Sequence, residues 1–478
     1  MAELHDLTAL DAAAAVRTKQ VSPTELVEHY LDRISRLDEQ IGAFVTVTAE
    51  SARQQARDAD RAVLAGSDLP PLHGVPTAIK DLNNVKGVPT RFGSVTMTDF
   101  VAPFDDHVVS LLRAAGTISL GKTATPEFGL PCYTETNIGP PARTPWDTSR
   151  LAGGSSGGAG AAVAAGFVPL AQGSDGGGSI RIPASLNGLF GLKTSRGRIS
   201  RGPLDVDSSG LSVLGPLART VRDAAAFLDA TAHPQPGDAT WAAPLPDGQS
   251  YLGWCDRTPE RLRIGRYLEP PIPGAVLDSE CRIAWERASQ LLVELGHDVI
   301  DIPLPIPPEA IPAFEAVWAV SAGTIPVEPA SEAQLRPLTR YLRARAREIG
   351  GAQYAGAVGQ LNQLSRQSLA ATAHLDAVLT PTLAMPARPV GWFCGTAEQP
   401  VDPAIDFERQ KMFTPYTAVY NTSGQPAASL PVHHTADGLP VGVMLVGRPF
   451  GEAPLLALCA QVEEAAGWAG RHPAIWRQ

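Results

Sequence analysis

The spacing of apolar and polar residues changes several times along this chain. After Ser22, the residues Leu26, Tyr30, Ile34 and Leu37 recur at helical intervals, which predicts an amphipathic helix. Ser22-Pro23-Thr24-Glu25 opens it with an N-cap, a proline at the first helical position and a capping-box glutamate. From residue 74 the pattern shortens. Pro76 to Ile79 reads as a buried strand that delivers Lys80 and Asp81 at its end. Asp105 or Asp106 is the expected cap of a helix through Leu111, Leu112 and Ala115, which Gly116 stops. Thr117 to Leu120 follows as a strand. Residues 157–166 are almost all Ala and Gly, a helix able to pack very close to its neighbours, and Phe167 to Ala171 reads as the next strand.

Residues 233–260 are rich in Pro, Gly and Trp and read as a long surface connection. The alternation then resumes with a strand over 262–267, a helix over 278–295 closed by Gly296, and a strand over 299–302. Residues 307–375 read as mostly helical, with their repeated arginines on a solvated face. AVLTPTL, AASLPV and VGVMLVG return the chain to strands. This order predicts an α/β fold. The expected organisation is one unit over residues 1–478, with a helical N-terminal part at 1–69 and a core at 70–230. A variable α/β and helical region at 231–400 is expected to shape the substrate pocket, and core strands and a helix follow at 401–478.

Charge and cysteine content narrow the function classes. The formal net charge is −10 and no basic cluster stands out, which argues against a nucleic-acid or anionic-membrane partner. No stretch of about 18 apolar residues appears, and MAELHDLTALD lacks an apolar signal core, so a soluble, cytoplasmic protein is expected. The five cysteines lie far apart, without CxxC or Cys/His metal spacing. Neither structural zinc, another metal, a cofactor nor a disulfide frame is expected.

Two motifs point to chemistry that their contexts do not support. Residues 116–123, GTISLGKT, fit the phosphate-loop pattern, but a helix precedes the first glycine and the middle residues form a strand. Residues 153–157, GGSSG, fit the nucleophile elbow of α/β-hydrolases, yet no apolar strand precedes them. His73, His107, His297 and His374 read as ordinary turn or helix residues, and HExxH is absent.

Residues 174–181, SDGGGSIR, are more informative. Successive N–H groups in a glycine run can converge on negative charge, and Ser179 at its end could attack a carbonyl whose oxyanion they hold. A lysine activates a serine only when neutral, so its usual pKa of about 10.4 must fall. Lys80, at the end of an apolar strand, is the candidate base. Ser155 or Ser156, in the GGSSGG turn, is the candidate relay.

Taken together these segments resemble the amidase signature family. The resemblance rests on GGSSGG at 153–158, GSDGGGSIRIPAS at 173–185, GLFGLK at 188–193 and GVPTAIKD at 74–81. LLRAAGTISLGKT at 111–123, PWD at 145–147, NTSGQPAASLP at 421–431 and GLPVGVMLVGR at 438–448 extend it over nearly the whole chain. It implies a mixed central β-sheet covered by helices on both sides, and a serine hydrolase with a Lys–cis-Ser–Ser triad. Carried over by position, Ser179 is the nucleophile, Lys80 the base and Ser155 the bridging residue. Gly176, Gly177, Gly178 and Ser179 supply the oxyanion hole. Ser156, Asp175 and Arg181 support the site. Gly129, Leu130 and Tyr133 fall on the loop beside the leaving group. Trp392 and Phe393 are further candidates for the cleft wall.

The resemblance implies a small-molecule amide or carbamate substrate, no cofactor, and a monomer or homodimer. Neutral anilides are the expected substrates, and N-aryl carbamates after them, cut in an uncharged cleft. The alternative is the glutaminase subunit of a tRNA-dependent amidotransferase, but SSGLSVLGPLART at 208–220 lacks that subunit's Asp-Gln pair. The chain also departs from the family at Gly176, where Thr or Ile is usual.

Overall fold

The computed structural model describes residues 3–205, 207 and 209–478. Its centre is one sheet built from β1 (Phe44–Val47), β2 (Pro76–Lys80), β3 (Ile118–Thr123), β4 (Leu170–Asp175), β5 (Phe190–Lys193) and β6 (Val213–Ala218), joined by β7 (Arg263–Arg266), β8 (Asp298–Asp301), β9 (Ala377–Pro381), β10 (Ala427–His434) and β11 (Pro440–Gly447). The strands lie in the order β1-β3-β2-β4-β6-β5-β10-β11-β9-β7-β8. β2 runs parallel to both β3 and β4, and β7 runs parallel to both β8 and β9. The other neighbours are antiparallel, so the sheet is mixed.

Both faces of the central strands are buried, and β11 illustrates why. Successive side chains of a strand point to opposite faces. Val441, Val443 and Leu445 join a core that includes Leu292 and Leu456 from the helices Ser279–Glu294 and Glu452–Ala466. Met444 and Val446 join a second core with Val317 and Leu361 from the helices Ala310–Gly323 and Gly351–Thr372. A strand covered on both faces is apolar except where a buried polar group has a partner, and VGVMLVG shows the apolar case. Among the described residues no helix is long and apolar enough to cross a membrane.

Local signals set several boundaries. The helix Pro23–Ile41 begins with the expected reciprocal capping box between Ser22 and Glu25 and ends on Gly42. Two strands are displaced from their expected positions. β4 starts at Leu170 rather than Phe167, because Pro169 has no N–H to give the ladder. β3 runs on through Gly121, Lys122 and Thr123, so the last six residues of GTISLGKT are strand and no phosphate loop. Asp106 precedes the helix His107–Ala114, but its carboxylate makes no cap bond. It accepts instead from Asn84 N–H and from the Asn83 and Asn84 amides. The arginines of 307–375 are not all solvated either. Arg343 is buried and donates to the carbonyls of Ala322 and Ile325.

The short helix Gly157–Ala164 lies under this sheet with every residue buried. A Cβ on Gly158 would collide with backbone atoms of Ala124 and Ala43. Only glycine allows this approach, and it holds the GGSSGG turn between β3 and the glycine loop.

Candidate active site

The adjacent parallel strands β2 and β4 end side by side, an arrangement whose carboxyl end forms the ligand crevice of open α/β sheets. β2 delivers Lys80 there, and β4 delivers Ser174 and Asp175. Lys80 is fully buried. Its Nζ donates to Ser155 Oγ at 2.7 Å and to Ser174 Oγ at 2.9 Å. Both partners are hydroxyls, so no carboxylate neutralises the ammonium directly. Burial therefore pushes the Lys80 pKa well below its ordinary value; the Asp175 charge opposes this and Arg201 adds to it.

Lys122 of the GKT sequence behaves differently. Its Nζ forms a buried ion pair with Asp81 Oδ1 at 3.0 Å and donates to Thr90 Oγ1. That lysine holds β2 to β3 and does not face a ligand.

Ser155 follows a cis peptide bond from Gly154 and lies against Gly129, whose added Cβ would stand 3.3 Å from Ser155 Oγ. Ser156 fastens the two serine segments together. Its N–H donates to Ser179 O at 3.1 Å, and its Oγ donates to Ser174 O at 3.1 Å. Ser179 lines a cleft. Among the described residues its Oγ has no hydrogen-bond partner, so the Lys80–Ser155 link is formed and the Ser155–Ser179 link is not. Such contacts are often long before substrate binds.

The glycine loop hangs on Asp175. Arg181 meets its carboxylate through Nε and Nη2, both at 2.9 Å, in a fully buried pair. Gly178 N–H and Ile180 N–H donate to the same carboxylate, and Asn421 Nδ2 donates to its Oδ1 and to the Asp175 carbonyl. Burial alone would raise the Asp175 pKa. The Arg181 charge and bonds, with Lys193 and Asn421, outweigh it and hold the acid well below the usual carboxylate range.

These bonds correct one expectation. Gly178 N–H is spent on Asp175 Oδ1 at 2.7 Å, so it is not available to an oxyanion. Gly176, Gly177 and Ser179 keep N–H groups without a partner among the described residues. Gly178 instead has φ +137° and stands where a Cβ would collide with Thr417.

The cleft wall differs from expectation too. Leu130 lines it, with Ile182, Ile311, Phe314, Trp318 and Val419. Gly129 sits behind, at Ser155. Tyr133 is buried, and its hydroxyl donates to Asp406 Oδ2 at 2.5 Å in a neighbouring cavity. Phe393 stacks on Tyr133 with centroids 4.6 Å apart, and Trp392 packs edge-on against Phe393, so neither walls the cleft. The cleft is also not free of charge. Glu315 and Lys411 line it as an ion pair of 2.6 Å, which neutralises itself.

Sequence reasoning left Ser174, Asn421 and Trp318 without roles. Ser174 and Asn421 stand inside motifs already noted for the family resemblance, which was the available signal; Trp318 carried none.

The profile of the Amidase family matches residues 25–456. This chain is a member of the amidase signature family. It is 39% identical to the putative amidase AmiB2 of Mycobacterium tuberculosis, over 98% of this chain and 99% of that one. It is 36% identical to a subunit of the glutamyl-tRNA(Gln) amidotransferase of Aromatoleum aromaticum, over 97% and 98% of the two chains. Among solved structures, 6-aminohexanoate cyclic dimer hydrolase superposes with a TM-score of 0.89 at 32% identity, covering 99% of this chain and 100% of its own. As an amidase signature enzyme the protein is a hydrolase of amide C–N bonds in small molecules.

Proposed function

We propose that this amidase cleaves neutral amides through an acyl-enzyme on Ser179, with Lys80 as base and Ser155 as relay. The observation that carries the reading is Lys80 itself, buried, driven towards the neutral form and hydrogen-bonded at 2.7 Å to Ser155. With Nζ neutral the 2.7 Å contact can reverse, Ser155 O–H donating to the Nζ lone pair, and Nζ takes that proton as Ser155 Oγ takes the proton of Ser179 Oγ. Ser179 then forms a bond to the carbonyl carbon. The resulting oxyanion accepts from the N–H groups of Gly176, Gly177 and Ser179. The proton returns through Ser155 to the departing nitrogen, the C–N bond breaks, and water repeats the sequence to release the acid.

The apolar cleft beside Ser179 supports an uncharged substrate, because an unpaired charge buried there is costly. Neutral anilides fit first. N-aryl carbamates follow, since the same oxyanion site can hold their tetrahedral intermediates. The similarity to the amidotransferase chain favours a second reading, a glutaminase. Against it stand the missing Asp-Gln pair and a cleft whose two charges are engaged with each other.

The test has two parts. A fluorophosphonate should add once, at Ser179, by intact mass and peptide mapping. Nitroacetanilide, an alkyl N-phenylcarbamate and glutamine are then compared at equal concentration by chromatography. The anilide should be cleaved fastest and glutamine least. Labelling at Ser155 overturns the assignment of the nucleophile, and glutamine as the best substrate restores the glutaminase.

A further inference from the structure

Gly176, at the head of the glycine loop, faces aromatic residues from another part of the chain. A Cβ added to Gly176 would lie 3.4 Å from both Cη2 and Cζ3 of Trp318. A Cβ on Gly177 would lie 3.7 Å from Cζ of Phe314. Phe314 and Trp318 are one helical turn apart on Ala310–Gly323, with stacked rings at 5.7 Å and an interplanar angle of 15°. Both line the cleft beside Ser179. Trp318 is half-buried and packs against the cluster that includes Leu338 and Phe407.

We propose that Gly176 and Trp318 form a single specificity element. The indole takes the space that a β-branched residue at 176 would fill, and it roofs the glycine loop. This rests on the assignment of Ser179 as nucleophile and of the loop N–H groups as oxyanion donors. With the oxyanion on Gly176 and Gly177, the group attached to the acyl carbon runs along the loop and meets the face of Trp318. A planar or unbranched acyl group lies flat against the ring. A group branched at the α-carbon meets it edge-on and is excluded. The substrates admitted are therefore neutral amides of unbranched aliphatic or arylacetic acids, and amides of α,α-dialkyl acids are refused.

The experiment compares kcat/KM for propionyl and pivaloyl p-nitroanilide in the wild type, Trp318→Ala, Gly176→Thr and the double variant. Because intrinsic reactivity cancels between variants, the readout is the change in the propionyl/pivaloyl ratio. Trp318→Ala should lower that ratio at least tenfold, within the ~10–200-fold expected from one or two methyl groups in a pocket, with the pH profile unmoved. Gly176→Thr should lower kcat/KM for both substrates at least tenfold in the wild type and much less beside Trp318→Ala. A ratio that stays within twofold in Trp318→Ala, or equal damage from Gly176→Thr in both backgrounds, overturns the proposal. If Trp318→Ala does not fold, Trp318→Phe must move the ratio in the same direction by a smaller factor, and a ratio unmoved there overturns it equally. Ser179→Ala separates the two levels. Retained turnover in that variant defeats the catalytic assignment, and with it the element; a dead Ser179→Ala with an unmoved ratio defeats the specificity element alone.

Discussion

Replacing Asp175 by asparagine keeps the shape of the side chain and removes one charge. Oδ1 accepts from Gly178 N–H, Arg181 Nη2 and Asn421 Nδ2, at 2.7, 2.9 and 2.9 Å. Oδ2 accepts from Ile180 N–H at 3.1 Å and Arg181 Nε at 2.9 Å. An amide nitrogen at either place turns its own hydrogens towards two or three donors. Among the described residues Arg181 then keeps neutral acceptors: the Thr417 carbonyl, Asn421 Oδ1 and Met444 Sδ. Removing one partner of a buried ion pair costs about 3–5 kcal/mol, a large part of the ~5–15 kcal/mol that stabilises most proteins. The pair can also be removed whole. Asp175→Leu with Arg181→Met leaves no uncompensated charge from the pair, but it strands the Gly178, Ile180 and Asn421 donors at about 1–3 kcal/mol each, so the double variant should be destabilised at least as much as Asp175→Asn. The assay is urea unfolding followed by circular dichroism at neutral pH. Asp175 is held below its ordinary value, so its contribution is present above about pH 3.9 and is lost as pH falls through the lower folded value. Neutral pH therefore reads the full effect. An Asp175→Asn cost below about 1 kcal/mol would refute the claim that the glycine loop hangs on this charge.

Two other outcomes follow from the site. Ser179→Ala should abolish turnover, while Lys80→Ala and Ser155→Ala each lower kcat by several orders of magnitude; because the three act as one unit, any pair should lose little more than its worse member, and near-normal steady-state rates in Lys80→Ala contradict the mechanism. The pH dependence of kcat/KM should rise as Lys80, pushed below its ordinary value by burial, loses its proton, and then flatten; an optimum near pH 5 is incompatible with a neutral lysine.

Features that depend on neighbours along the chain can be read from the letters alone. The Ser22–Glu25 capping box is a contact within one turn, so four letters predict it and the structure contains it. The apolar run of β11 states that the strand is covered on both sides, whatever covers it. Lys80 and Ser179 stood out because each ends a short segment whose apolar neighbours or glycines are costly to place anywhere else, whereas only the family resemblance separated Ser155 from Ser156. The remaining contacts join distant positions, and folding alone brings them about. Lys80 and Ser174 are 94 residues apart, and they meet only because β2 and β4 pair in parallel. Asn421 and Asp175 are 246 apart. No local energy encodes either meeting; each follows from the strand order that buries both faces of the sheet. The N–H of Gly178 looked equivalent to its neighbours until the fold turned Asp175 upon it. Trp318 came over Gly176 for the same reason. That residues 307–375 are mostly helical can be read from the letters, but the loop against which the helix of Trp318 lies is chosen by the packing of the whole core.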